Sequence, residues 1–531
     1  MTHRQTLVCR ASRQRQASAP LFEAILKHIR LGLTPFHMPG HKQGREPGPA
    51  SGIDPEFAGF LGRNVLAMDL TELPGLDDLH APEGAIRMAE ELASELFGAD
   101  HTFFLVNGTS AGIQAAIIAA CGPGDGVILP RDVHRSAIGG LILSGASPVY
   151  IPAAIDPVFG IPLGPEPGSL LDALKAHPSA RLVVLMNPNY YGVTRDLRYS
   201  VDLCHQYDKI VVVDEAHGAH FAFHDALPPP GLSAGADIVV QSTHKTLGSL
   251  TQSSMLHVKG RRVDMARLRQ ALRILQTTSP SYILMASLDA ARRRMAVCGR
   301  ELVDRAVKLA ERARGSISGI IPGGCLELPA PSARAGDLAG AGDVARIGDA
   351  SMLLDPTKIT ISSREIGMSG YEAGRLLREG YGVQVEFADI WNLLVMVTIA
   401  DRDEDIDHLI EAIRGVSEAR GTEVPGIAGG SKYLQILQRM GEVFTTPPQR
   451  LPPRQACLGG TEAVPLREAA GRVSAEIVAP YPPGIAVICP GEEITQGVIE
   501  FLTVARELGA KFQGPEDPDL AFLRVAGSGS G

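Results

Sequence analysis

The chain has 531 residues, 45% hydrophobic and only 5% aromatic, with a formal net charge of −9. That length suggests about three domains, the acidic balance gives no reason to expect nucleic-acid binding, and no apolar run reaches the roughly 18 residues a membrane span needs. Seven scattered cysteines without a CxxC pair argue against a disulfide framework or a zinc site and fit a reducing cytoplasm.

The N-terminus, "MTHRQTLVCRASRQRQ", is basic and lacks the apolar core of a secretory signal, so residues 1–19 are expected to be a disordered arm. Leu21, Ile25, Ile29 and Leu33 recur at helical spacing and predict a helix over 20–34. Residues 35–85 are rich in Gly, Pro and charge with little periodicity. An irregular segment of that length is more often functional than idle. We read 20–90 as a helix followed by a segment of the site.

From about residue 86 the pattern changes. The helix "AIRMAEELASELFGA" leads into short apolar runs that alternate with helical stretches. The runs lie at 102–106, 126–130, 147–151, 181–186, 209–214, 237–242 and 254–258, and the helices at 110–121, 134–145, 169–177 and 198–208. Apolar strands alternating with helices predict an α/β domain with a mostly parallel sheet over 91–290. Residues 260–315 read as mainly helical. A smaller α+β domain is expected over 291–425, from "DPTKITISS", a helix near 369–380, "VQVEFAD" and "NLLVMVTIA". It carries a flexible insertion at 329–350. A linker at 426–432 and a C-terminal domain over 430–531 complete the chain.

Four strand ends carry chemistry. In "FFLVNGTSAGIQ" a strand meets a helix start, so Thr109, Ser110 and the Ala111 amide form a natural anion site. In "LPRDVHRSA", His134 follows a strand and its flat ring could stack on another. In "KIVVVDEAHGAH", Asp214 ends an apolar strand, at the sheet edge where α/β folds bind ligands, and His217 follows. DEAH also occurs in helicases, yet no GxxxxGK[ST] loop appears, which disfavours nucleotide hydrolysis. In "STHKTLGS", Lys245 follows another strand with Ser242 and His244 beside it. A phosphate site, a stacking ring, an Asp for a ring nitrogen and an amine for an aldehyde together describe a pocket for pyridoxal 5′-phosphate (PLP).

In this order, "NGTS", "DVHRS", "VVVDEAHGAH" and "STHKTLGSLTQSSMLH" resemble the Orn/Lys/Arg decarboxylase family of fold type I PLP enzymes, in its short biosynthetic form. "PFHMPGHKQG", "TELPGLDDLHAPEGAI", "NPNYYGV", "DPTKITI" and "APYPPGIAVICPGE" match as well, so the likeness runs from about residue 20 to 515. It implies a fold type I, transferase-like large domain, a smaller α+β domain and a C-terminal domain. It implies that Lys245 bonds the cofactor aldehyde, Asp214 keeps the pyridine nitrogen protonated, His134 covers one ring face and Ala216 the other. Thr109, Ser110, Ala111, Ser242 and His244 would hold the phosphate, and His244 or Lys245 would return a proton to Cα. The family often has an aromatic residue where this chain has His217. "NPNYYG" stands where Thr-Tyr-Asp is usual, so Tyr190 and Tyr191 receive no role.

The implied substrate is a basic L-amino acid, arginine before lysine or ornithine, leading to polyamine precursors. Its distal cation needs a carboxylate, for which Asp77, Asp78, Glu83, Glu365, Glu386 and Asp389 are the candidates. His37, His41 and Lys42 would line the entrance. No metal is expected, and the resemblance implies at least a homodimer. Two other readings remain open at this point. An aminotransferase or aldolase on the same fold would need an arginine such as Arg364 or Arg375 for the α-carboxylate. A non-catalytic regulator of polyamine enzymes would need none of the site groups, yet Lys245, Asp214 and His134 are all present.

Overall fold

The computed structural model describes residues 14–45, 52–166, 168–328, 352–418 and 446–527. The expected insertion at 329–350 and linker at 426–432 lie outside these residues, as do residues 1–13 of the arm.

The centre is a seven-stranded sheet: β1 (His101–Leu105), β2 (Gly126–Pro130), β3 (Ser147–Ile151), β4 (Leu182–Met186), β5 (Ile210–Asp214), β6 (Ile238–Gln241) and β7 (Ser254–Val258). Their spatial order is β1-β7-β6-β5-β4-β2-β3. The run from β3 to β6 is parallel, and β7 is antiparallel to both its neighbours. The alternation of a strand sorts its side chains to two faces. Val211 and Val213 enter the core shared with helices Pro20–Arg30, Ala85–Phe97 and Leu197–Gln206; Val212 enters the core beneath helices Gly108–Ala120, Arg135–Ser144 and Met265–Leu275. Both faces are covered, which is why these strands read as unbroken apolar runs. A Cβ at Gly112 would stand 2.6 Å from Val240 Cγ1 and 2.7 Å from Leu105 Cδ1. Glycine there lets helix Gly108–Ala120 lie directly on the sheet, with its N-terminus at the edge where β5 and β6 end.

Three sequence expectations change. The first helix stops at Arg30, because Leu31 and Leu33 are 58% and 54% exposed and have no core to hold another turn. Residues 14–19 are packed rather than free: Gln16 and Ala19 are buried, and the buried Arg292 guanidinium donates to the Gln16 and Ser18 carbonyls at 2.7 and 2.5 Å. The expected boundary at 290/291 falls inside one 39-residue helix, Tyr282–Ile320. Its Met295, Val303 and Val307 belong to the large core, while Ala306, Leu309, Ala313 and Ile317 belong to the next one. The cores therefore change hands near residues 303–309.

That next core lies under a small antiparallel sheet of Lys358–Ser362, Asn392–Met396 and Phe387–Ala388. The C-terminal part packs helix Gln496–Glu507 on two-stranded ribbons. It is clasped to the large sheet by Arg131, just past β2, which donates to the Ala486 and Val487 carbonyls at 3.1 Å and to Glu492 Oε2 at 2.9 Å. Among the described residues no helix is long and apolar enough to cross a membrane, no group of three or more His, Cys, Asp or Glu is placed to hold a metal ion, and six cysteines are free thiols.

Candidate active site

A cavity of about 200 Å³ opens at the carboxyl ends of β4, β5 and β6. Its wall includes Thr109, Ser110, His134, Asp214, Ala216, His217, Ser242, His244 and Lys245, nine of the ten cofactor-site residues expected from the sequence. Ala111, the tenth, is buried one residue further along the helix. Residues more than a hundred positions apart converge because parallel strands all end on one edge.

Lys245 sits in a one-turn helix, Thr243–Thr246, directly after β6. Its Nζ lies 2.8 Å from His217 Nε2. Burial lowers its pKa to about 8; Asp214 and Glu386 oppose the shift and Lys358 adds to it. A buried amine in this state is unprotonated in an appreciable fraction near neutral pH, which is what a nucleophile needs. Asp214 ends β5 and is buried. Its carboxylate accepts a bond from the Ala216 amide at 3.1 Å, and burial raises its pKa. His134 caps helix Arg135–Ser144, with Nδ1 held by the Ser136 hydroxyl at 2.8 Å and amide at 3.2 Å. Burial, aided by the Lys245 charge, depresses it to about 4, so the ring is a neutral, fixed plate at physiological pH.

Three hydroxyls cluster beside the start of helix Gly108–Ala120, where the sequence predicts an anion site. Thr109 Oγ1 bonds Ser242 Oγ and lies 3.1 Å from Ser254 Oγ. No side chain caps helix Gly108–Ala120, so its first-turn amides remain available. His244 is oriented by Nδ1 against the Ser253 carbonyl at 2.8 Å. Two buried polar atoms of the site have no hydrogen-bond partner among the described residues: His217 Nδ1 and Tyr190 Oη. A buried carboxylate without a bonded cation, open helix amides beside hydroxyls, and these two unsatisfied atoms fit a polar, phosphorylated, cationic-ring cofactor.

Sequence reasoning missed several parts. Tyr190 belongs to the cavity, its ring 5.4 Å from that of His217 and 6.4 Å from that of His134, while Tyr191 turns away to donate to Asp389 at 2.9 Å. Met186, Pro188 and Asn189 complete the wall. Glu215 is buried, held by the Asn187 amide at 2.8 Å, the Gly231 amide at 2.7 Å and Gln241 at 2.7 Å, and so ties together the loops after β4, β5 and β6. The DEAH stretch carries that signal: a second acid directly follows the one that ends an apolar strand.

The substrate-carboxylate candidates separate sharply. Asp77 is spent on its own loop: it takes the backbone amides of Asp78, Glu83, Gly84, Ile86 and Arg87 at 2.7–3.3 Å and starts a helix. Asp78 accepts from the His80 amide at 2.8 Å, and Glu83 is exposed in a separate groove of about 830 Å³. Asp389 is occupied by Tyr191, Trp391 and Asn392, and Glu365 is exposed. Of the six, only Glu386 has its charge felt at Lys245. The expected entrance residues bond other groups: His41 meets Asp69, just past helix Pro55–Met68, at 3.0 Å, and Lys42 donates to the His37 carbonyl at 2.7 Å. Neither arginine considered for an aminotransferase lines the cavity. Arg375 is spent on Glu372 and Glu379, and Arg364 donates to the Val158 carbonyl.

Residues 19–405 match the family model for the Orn/Lys/Arg decarboxylase major domain, and residues 434–518 the one for its C-terminal domain. The chain belongs to the Orn/Lys/Arg decarboxylase family. Members similar to it include proteins named arginine decarboxylase from Bacillus anthracis, 41% identical over 96% of this chain and 97% of that one, and from Bacillus subtilis (strain 168), 40% identical over 96% and 98%. The solved structure of lysine decarboxylase A from Pseudomonas aeruginosa superposes with a TM-score of 0.81 at 25% identity, over 98% of this chain and 82% of that one. The fold type I architecture expected from the motifs is therefore the architecture of this decarboxylase.

Proposed function

We propose that this decarboxylase uses PLP to convert L-arginine to agmatine and CO₂, supplying polyamine synthesis in the cytoplasm. The observation that carries the reading is one cavity in which a buried amine, a buried carboxylate, a neutral flat imidazole and an open helix N-terminus meet. The preference for arginine rests on relatives of that name at about 40% identity over nearly the whole chain.

The geometry supports the residue roles that the family resemblance implies. When bound, PLP supplies an electron sink for the pair released as the bond from Cα to the carboxylate breaks. Lys245 offers an amine that burial has shifted toward its unprotonated form. Asp214, already desolvated, is matched to the positive charge of a protonated ring nitrogen. His134 would cover one face of the ring and, being neutral, would add no charge there; Ala216 would face the other. Thr109, Ser110, Ala111, Ser242 and His244 would hold the phosphate. Met186, Pro188 and Tyr190 keep water from the scissile bond. Lys245 or His244 holds the proton returned to Cα. Glu386 faces the distal cation. A second copy of the chain completes the assembly as a homodimer.

The test is incubation of the full chain and PLP with arginine, lysine and ornithine, with amine products identified by mass. Agmatine should form with the highest kcat/KM. Faster cadaverine or putrescine at equal low substrate concentration would move the assignment to lysine or ornithine.

A further inference from the structure

The motif "DPTK" lies outside the roles above, yet Lys358 is one of the largest fully buried side chains in the protein. It opens the first strand of the small sheet and reaches into the large domain. Its Nζ donates to the His217 carbonyl at 3.0 Å and to Asp355 Oδ2 at 3.0 Å. Asp355 is itself fixed: Oδ1 accepts from the Thr357 amide at 3.0 Å and hydroxyl at 2.6 Å, and its carboxylate meets His220 Nε2 at 3.2 Å. This array holds Asp355 well below the usual carboxylate range, chiefly through Lys358 and His220 acting against burial. It lies directly behind His217, whose imidazole touches Lys245.

We infer that Lys358 is a positioning residue for the Lys245 amine: clamped by Asp355 and bonded to the His217 main chain, it holds His217 against that amine and fixes a positive charge behind the imidazole. A second cation near an amine disfavours protonation of that amine, and the effect is large where water is excluded. The charged and titratable groups that face Lys245 are Asp214 from β5, His217 from the loop after it, His134 from the loop after β2, His244 beside it on its own turn, and Glu386 and Lys358 from the small domain. Those that face His217 are Lys245, Lys358, His134 and Asp355. Burial is the largest cause of the depressed values of both Lys245 and His217. Lys358 acts in the same direction on both, whereas Asp214 and Glu386 oppose it at Lys245 and Asp355 opposes it at His217. A neutral His217 presents a lone pair to the amine instead of a second positive charge, so one buried cation serves two groups.

The inference rests on the reading of Lys245 as the cofactor amine, and the two are tested separately. Borohydride reduction with PLP and peptide mapping tests that reading: a pyridoxyl label on another lysine removes it. The inference is tested on the full chain before PLP is added. Trace acetylation with acetic anhydride across pH, read by mass on the Lys245 peptide, gives the titration of that amine. In Lys358→Met the midpoint should rise by half a unit or more, read as about threefold slower labelling near neutral pH. Lys358→Arg keeps the charge and should label like the wild type. Circular dichroism establishes folding of each variant first. If Lys358→Met does not fold, the double variant Lys358→Met/Asp355→Asn, which leaves no unpaired charge, carries the same expectation. An unchanged midpoint in the folded neutral variant, or an equal shift in Lys358→Arg, overturns the inference.

Discussion

Replacing Asp214 by asparagine keeps the shape of the side chain and removes its charge. In the cofactor-free chain the carboxylate is buried and its bond comes from the Ala216 amide, so burial raises its pKa. The folded state then binds the proton more tightly than the unfolded state does. The stability this confers is present below the unfolded value, about 3.9, and is lost as pH rises through the folded value. As pH rises the buried carboxyl therefore opposes folding, and Asp214→Asn without PLP should melt no lower than the wild type. With PLP the balance reverses. A buried, charge-assisted bond to a protonated ring nitrogen is worth about 1.5–3 kcal/mol, or roughly 10–150-fold in affinity or rate. The variant should lose most of the melting-temperature gain that PLP confers, and kcat for arginine should fall by at least the lower figure. Melting with and without PLP, alongside initial rates, reads both arms. A variant that melts like the wild type with PLP and keeps kcat within about threefold would show that Asp214 does not meet the ring nitrogen.

Asp77→Ala removes the acceptor for five amides and should cost about 2 kcal/mol or more in stability, with KM for arginine unchanged in the folded protein; a raised KM in a stable variant would return Asp77 to the substrate site. Glu386→Gln should raise KM for arginine several-fold with little change in kcat, since a lost distal contact is shared by ground and transition states; unchanged KM would remove Glu386 from the site. Glu90 is buried with its pKa raised to about 8, mainly by burial. The stability linked to its proton is present below the unfolded value near 4.3 and lost as pH rises through about 8. Glu90→Gln should therefore gain on the wild type in thermal melts between pH 5 and pH 8.5, and a constant difference would refute the linkage. Arg131→Met strands the buried Glu492 and should cost about 3–5 kcal/mol in denaturant unfolding, against under 1 kcal/mol if the clasp is only a surface contact.

The sheet was legible because parallel strands buried on both faces are written as unbroken apolar runs, and β2, β3 and β7 begin and end where those runs do. "VQVEFAD" was less legible. Only Phe387–Ala388 pairs as a strand, because the Asp389 carboxylate captures the Trp391 and Asn392 amides and ends the ladder in a tight turn. The cavity residues were readable from strand ends, since topology brings the ends of parallel strands to one edge. The carboxylates near the cavity were not. Asp77 and Glu386 look alike in sequence, and only the count of nearby backbone amides separates a carboxylate that folds its own loop from one that is free to meet a ligand. Lys358 was visible as a motif and mute as chemistry: its contact with His217 spans 141 residues, and no local pattern announces it.

The loop after β2 shows why the C-terminal part and the site are structurally linked. Within four residues it carries Arg131, which clasps the 486–492 segment, and His134, whose ring walls the cavity. His134 also pairs through its backbone with Ile485, one residue before the first carbonyl that Arg131 holds. His134 is thus held at two points, its ring by Ser136 on its own helix and its backbone by a C-terminal segment more than 340 residues away in sequence. Between them Asp132 is fully buried with neither carboxylate oxygen bonded among the described residues, and burial raises its pKa to about 6. The clasp and the bridge hold this loop in place, so the C-terminal part braces the segment that presents the His134 ring to the cavity.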